Sequence, residues 1–216
     1  MKVGLVTKEW EPHIYGGAGV HIKYLTKSLT KLIDTQVHCF GEPRTDAIGY
    51  ELSDSEKKLN PALQALITDL AMAENLKSVD LVHSHTWYAN MAGHFSKLLN
   101  GTPHVISAHS LEPDRPWKAE QIGGGYAISS WAEKTAYEGA DAIIAVSQGM
   151  RRDVLRAYPN LDPNKVHAIL KRSISTAASI VSILGSRSIP CWRDPELYYL
   201  RQTTQMRRQR CRGAPV

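Results

Sequence analysis

Lys2-Val3-Gly4-Leu5-Val6-Thr7, a loop over residues 8–15, and then Gly16-Gly17-Ala18-Gly19-Val20-His21-Ile22 form the stretch on which the fold turns. The first six residues are a short apolar run of strand character. Val20, Ile22, Leu25, Leu29 and Leu32 then recur at helical spacing up to Ile33. The reading is a buried strand, a glycine loop and a helix. Outward from this unit the alternation repeats, with strands predicted at 36–40, 81–83, 104–108, 142–146 and 166–169 and helices at 62–76, 89–99, 126–137 and 148–158. Short apolar strands alternating with helices predict a parallel sheet covered on both faces. The fold class is therefore α/β: a Rossmann-like, doubly wound parallel sheet over residues 1–169, followed by an irregular tail over 170–216.

In such a sheet, ligands bind outside the carboxyl ends of the strands. The loops there are predicted at residues 8–19, 84–88, 109–125 and 147–149, and they hold the unusual chemistry. Gly16, Gly17 and Gly19 open a helix, so backbone N–H groups there can receive a phosphate; a plain tight turn is the alternative. Ile22 stands where the dinucleotide fingerprint Gly-x-Gly-x-x-Gly needs its third glycine, which argues against a Rossmann dehydrogenase. His83 and His85 are two apart and point the same way on a strand. With His13, His21 and His109 they could be read as a metal cluster, but no helical His-x-x-x-His or nearby carboxylate at ligand spacing supports it. Hydrogen-bonding or structural imidazoles are the readings retained. His109 opens a long charged loop at a strand's carboxyl end, the usual seat of function, with a flexible surface loop as the alternative.

The net charge of +5 over 216 residues is unevenly spread. Residues 170–216 hold nine Lys/Arg, eight of them arginine, and two Asp/Glu, leaving the body at a net −2. A basic tail invites a nucleic-acid reading through phosphates. Only Trp192, Tyr198 and Tyr199 interleave with it for stacking, so nucleic acid is not the expected partner. Cys39, Cys191 and Cys211 are too few and scattered for a disulfide scaffold or a zinc site. No apolar run reaches the roughly eighteen residues of a membrane span, and the N-terminus has no signal-peptide core. No membrane contact and a cytoplasmic location are expected.

Five segments taken together carry a resemblance. They are Lys8-Glu9-Trp10-Glu11-Pro12-His13-Ile14-Tyr15-Gly16-Gly17-Ala18-Gly19-Val20-His21, His83-Ser84-His85-Thr86-Trp87-Tyr88, Ser107-Ala108-His109-Ser110-Leu111-Glu112-Pro113, Arg115-Pro116-Trp117-Lys118 and Trp131-Ala132-Glu133-Lys134. In order and distance they resemble the N-terminal half of bacterial glycogen synthases in glycosyltransferase family 4, almost continuously over residues 1–169. The resemblance implies a GT-B enzyme, two Rossmann-like domains with the active site between them. It would move glucose from a nucleotide-sugar donor, ADP-glucose or UDP-glucose, with retention to an α-1,4-glucan acceptor or to a small acceptor such as glucose 1-phosphate. No cofactor and no metal are implied.

By the same resemblance, Gly16, Gly17 and Gly19 lie near the donor's diphosphate and sugar, and His109 is the catalytic candidate beside the reacting sugar. Glu9, His85, Trp87 and Lys118 are acceptor-side candidates, with apolar packing the alternative for Trp87. One type of bacterial glycogen synthase carries lysine two places before the paired glycines; Ile14 stands there, so that lysine's role does not transfer. The family continues past the strand at 166–169 into an Asn-Gly-Ile-Asp turn and a nucleotide-binding second domain. Here Leu170-Lys171-Arg172-Ser173 follows instead, and residues 170–216 are read as a frameshifted or mis-called end, or as a genuine basic extension. Poor order of the tail and near-inactivity of the chain alone are the expectations, with a glucan-binding or nucleic-acid-binding module as the other class of function.

Overall fold

The computed structural model describes residues 1–169 and, beyond them, only residue 182. The expectations for the tail therefore lie outside the described residues. The elements run β1 (Lys2–Thr7), α1 (Gly17–Leu29), β2 (Asp34–Phe40), β3 (Ile48–Tyr50), α2 (Pro61–Asn75), β4 (Leu81–His85) and α3 (Trp87–Asn100). They continue with β5 (His104–Ala108), α4 (Lys118–Ile122), α5 (Gly125–Gly139), β6 (Ala142–Ala145), α6 (Gln148–Ala157) and β7 (Val166–Ala168). All seven strands form one parallel sheet in the order β3-β2-β1-β4-β5-β6-β7. The doubly wound α/β reading of the sequence is what the structure has.

Strand alternation divides the core into two layers. Val3, Leu5, Leu81, Val105 and Ile144 face Ile22, Leu25 and Leu29 of α1. Val6 and Val82 point to the opposite face, against Met72 of α2, Leu76 just after its end, and Ala89 and Ala92 of α3. Farther along the sheet, Ile106 and Ile143 meet Ala132, Ala136 and Tyr137 of α5 and Val154 of α6. Small residues let the helices come close: a Cβ on Gly93 would lie 2.2 Å from the His104 ring. Local signals set the ends. Asn60 accepts from Ala62 N at 2.9 Å with Pro61 beginning α2, Gly101 closes α3 at φ 63°, and Ser147 accepts from Met150 N at 3.0 Å to start α6.

Two elements were not visible as periodic runs. β3 has three residues and joins β2 through a loop tight enough that a Cβ on Gly49 would lie 2.0 Å from the Glu42 carbonyl oxygen. Parallel neighbours ordinarily need a longer crossover; the brevity of β3 removes that need. The charged loop predicted over 109–125 instead folds into a 3₁₀ turn at Glu112–Asp114 and the short α4. β4 runs on through His85, and Trp87 and Tyr88 begin α3 rather than lying in a loop.

Candidate functional site

The strand order reverses direction between β1 and β4, which opens a crevice at their carboxyl ends. Four segments meet there: residues 8–19 after β1, the end of β4, residues 109–118 after β5, and the first turns of α1.

Glu9 is only 7% exposed, and its Oε2 accepts from the N–H of Tyr15 at 3.1 Å and of Gly16 at 2.8 Å. The carboxylate thus holds the glycine loop. It also explains two of the three glycines, since a Cβ on Gly19 would sit 2.5 Å from Glu9 Oε2 and one on Gly16 would sit 3.2 Å from Oε1. At Gly17 a Cβ would meet nothing within 4 Å. Packing within the chain therefore asks for glycine at 16 and 19 but leaves the space over 17 open. α1 has no acidic residue in its first turn and no side-chain cap at Gly16. Its first N–H groups and the positive end of its dipole are thus presented to the crevice.

Beside this loop lie four imidazoles, on the same side of the sheet as the spacing of His83 and His85 predicts. His83 and His85 have ring centroids 4.3 Å apart, and His85 Nδ1 lies 3.1 Å from His109 Nε2. His21, reaching in from α1, is 5.2 Å from the His109 ring centroid and 6.3 Å from that of His85. His83 is deepest: its Nε2 pairs with Ser107 Oγ at 2.9 Å, and burial together with His21 pulls it down to about 3, so it is a neutral support for His85. His109 is half-buried by its neighbours rather than open to water. Among the described residues these side chains do not form a group suited to a metal ion, and His13 stands apart, 2.9 Å from Glu42 Oε1 on the surface.

Thr86 links His85 to α3 with φ 66° and ψ 156°, backbone that is normally the preserve of glycine. Its Oγ1 is buried with no hydrogen-bond partner among the described residues. A β-branched residue held there is strain stored at the carboxyl end of a central strand, where sequence reading had no signal for it.

The remaining candidates fall into two settings. Trp87 is 5% exposed and packs with Ala62 and Ala65 of α2, the apolar alternative raised for it, while Tyr88 stacks on its ring at 4.2 Å and reaches toward the crevice. Lys118 is paired with buried Glu112 at 2.7 Å; the second oxygen of Glu112 accepts from Ser129 Oγ at 2.8 Å. Glu112 N donates to Glu133 Oε1, which also accepts from Tyr158, and burial pushes Glu133 up to about 7. Neither acid was singled out from the sequence: they lie far apart in the chain, and only the packing of α5 beside the turn after β5 joins them.

Comparison with known proteins gives the family of the chain. The family profile of Glycosyltransferase Family 4 matches residues 15–170. The chain is 55% identical over 169 residues to an α-maltose-1-phosphate synthase of Mycolicibacterium smegmatis, covering 78% of this chain and 44% of that one. A protein of the same name from Mycobacterium tuberculosis is 51% identical over the same lengths. The chain thus spans under half the length of the curated relatives it matches. Among solved structures, Anabaena HepE in complex with UDP and glucose superposes with a TM-score of 0.55 at 16% identity, over 79% of this chain and 44% of that one, a likeness of fold. No helix among the described residues is long and apolar enough to cross a membrane. With the profile covering most of the described domain and relatives above half identity across it, the chain belongs to Glycosyltransferase Family 4.

Proposed function

We propose that residues 1–169 form the acceptor-side domain of a retaining glucosyltransferase that moves glucose from ADP-glucose or UDP-glucose to glucose 1-phosphate, with an α-1,4-glucan as the other acceptor. The observation that carries this reading is the 55% identity, across the whole described domain, to a protein named α-maltose-1-phosphate synthase. Maltose 1-phosphate is a glucosyl unit joined to glucose 1-phosphate, so the name turns the expectation from a glycogen synthase toward a small phosphorylated acceptor. The open space over Gly17 and the uncapped start of α1 suit the donor's diphosphate. His109 stands beside them, its ring set by His85 and His85 by buried His83. On this reading, positioning and electrostatic stabilisation of the departing diphosphate do the catalytic work, and a second domain supplies the base-reading contacts and excludes water.

The test offers ADP-glucose and UDP-glucose separately, with glucose 1-phosphate or glycogen as acceptor, to the 216-residue chain and to a version in which residues 1–169 are joined to the second half of the M. smegmatis relative. The joined protein is expected to form maltose 1-phosphate and the chain alone to be nearly inactive. Absence of transfer by the joined, folded protein with every donor and acceptor overturns the reading.

A further inference from the structure

Around Tyr88 the structure gathers three cations and two carboxylates, and they are not matched. Lys118 Nζ, 6.0 Å from the Tyr88 ring centroid, is held by Glu112. Lys8 Nζ lies over the same ring at 3.8 Å and 5.8 Å from that of Tyr15. Among the described residues Lys8 has no carboxylate at ion-pair distance, because its neighbour Glu9 is taken up by the amides of Tyr15 and Gly16. Arg115, between the 3₁₀ turn and α4, likewise makes no ion pair among the described residues, and its carbonyl accepts from Lys118 N at 3.0 Å, which sets it in the same turn as Lys118. Burial is the largest influence on Lys8; the Glu9 carboxylate favours its charge and the nearby Lys118 opposes it, and the balance lowers it from the ordinary lysine range. A half-buried ammonium over an aromatic face, with no carboxylate at ion-pair distance among the described residues and with Lys118 at the same ring, is matched by an anion on a ring-bearing ligand.

We infer that Lys8, assisted by Arg115, binds the phosphate of a hexose monophosphate acceptor whose sugar ring lies against Tyr88. This rests on the transferase reading above and deepens it by naming the acceptor's subsite. The monoester is favoured over the donor's diphosphate for two reasons. The start of α1 already answers a diphosphate with backbone N–H groups, whereas the group around Tyr88 offers side-chain charge beside an aromatic platform. That platform is firm, since Tyr88 rests on buried Trp87, and a firm aromatic face suits the apolar face of a sugar. Lys8 does not stand out by spacing alone; only the folding of residues 109–118 back over the start of α3 brings Lys8 and Lys118 to one ring.

The experiment measures binding of glucose 1-phosphate, glucose, inorganic phosphate, ADP and UDP to the full 216-residue chain by calorimetry, with folding followed by circular dichroism. Lys8→Gln is expected to weaken glucose 1-phosphate at least tenfold and Arg115→Gln several-fold. Lys8→Arg should keep affinity within about threefold, since it restores the charge. Lys134→Gln, on the exposed face of α5, is the control and should change nothing. Inorganic phosphate should compete with glucose 1-phosphate on the unaltered chain, a measurement that holds even where Lys8→Gln fails to fold. Unchanged affinity in both Lys8→Gln and Arg115→Gln, no detectable binding by the unaltered chain, or a loss confined to ADP and UDP overturns the inference. Lys8-dependent binding in a joined protein that transfers no glucose would keep it while the transferase reading falls. Normal transfer with an unmoved KM for glucose 1-phosphate in Lys8→Gln would do the reverse.

Discussion

Thr86 and His109 show what single positions carry. Thr86 has a backbone conformation costing roughly 1–3 kcal/mol for a residue with a side chain, and its buried hydroxyl recovers nothing among the described residues. Thr86→Gly relieves that strain against a backbone-entropy cost of about 0.5–1 kcal/mol. The variant should gain about 1 kcal/mol and melt ~2–4 °C higher, as read by thermal unfolding. A lower melting temperature would mean that the methyl group's packing outweighs the strain. His109 is the complementary case. Its ring meets His85 at 3.1 Å and lies 5.2 Å, centroid to centroid, from that of His21, so His109→Ala should cost ~1 kcal/mol of stability. In the joined, active protein the same change should lower kcat on the order of a hundredfold. Near-normal turnover would make His109 a packing residue.

At the scale of an element, the start of α1 separates glycines that serve the fold from one that does not. Gly19→Ala drives a methyl to 2.5 Å from Glu9 Oε2 and 2.9 Å from Glu9 Cβ, in a place where Glu9 is fixed by two amides. A loss of about 1–3 kcal/mol is expected by overpacking. Gly17→Ala meets open space at the first position of the helix and should leave stability unchanged or raise it by about 0.5–1 kcal/mol. Urea unfolding of the two variants reads the contrast directly. If the donor's diphosphate approaches this loop, Gly17→Ala should still raise the KM for nucleotide sugar in the joined protein. A stable variant with unaltered donor KM would show that the space over Gly17 is not a ligand's.

Over the whole molecule, stability depends on pH through buried groups of opposite sign. His38 and His83 are pulled down to about 4 and about 3 by burial, and His104 well below its ordinary value. Between those values and the unfolded-state value near 6.5, the unfolded chain binds protons that the native one refuses. Their contribution is therefore intact above pH ~6.5 and declines as the pH falls, by about 1.4 kcal/mol per unit for each imidazole. Glu133, raised to about 7 by burial, works the other way: the native state holds its proton, and that contribution fades as the pH rises from about 4.5 to about 7. Buried Asp69 is raised as well and has the same sign. Three imidazoles against two acids leave a net loss of stability on acidification below pH ~6.5. Glu133→Gln keeps an acceptor for Glu112 N and the Tyr158 hydroxyl but cannot ionise. Its stability relative to the unaltered chain should rise with pH across the window from 4.5 to 7, by urea unfolding. A difference independent of pH would mean that Glu133 titrates as an ordinary carboxylate.

The sheet was legible in the sequence because each central strand is buried on both faces and so reads as an unbroken apolar run: Val3 to Val6, Leu81 to Val82, Val105 to Ile106 and Ile143 to Ile144 carry that signal without any tertiary knowledge. β3 and α4 were not legible, since three residues and five residues are too few to establish a period. The pairing of His83 with His85 followed from alternation along one strand, and the opening of α1 by glycines followed from their place after β1. What the sequence could not order was the neighbourhood of each candidate. It offered Glu9 as an acceptor contact, and only the structure turned its carboxylate back on the amides of Tyr15 and Gly16. It treated Gly16, Gly17 and Gly19 alike, and only the position of Glu9 distinguished them. The convergence of Glu112 with Glu133, and of Lys8 with Lys118 at Tyr88, belongs to tertiary structure alone. Periodicity is written between near neighbours in the chain, whereas charge balance at a site is set by the sheet order and the helix packing that bring distant segments to one edge.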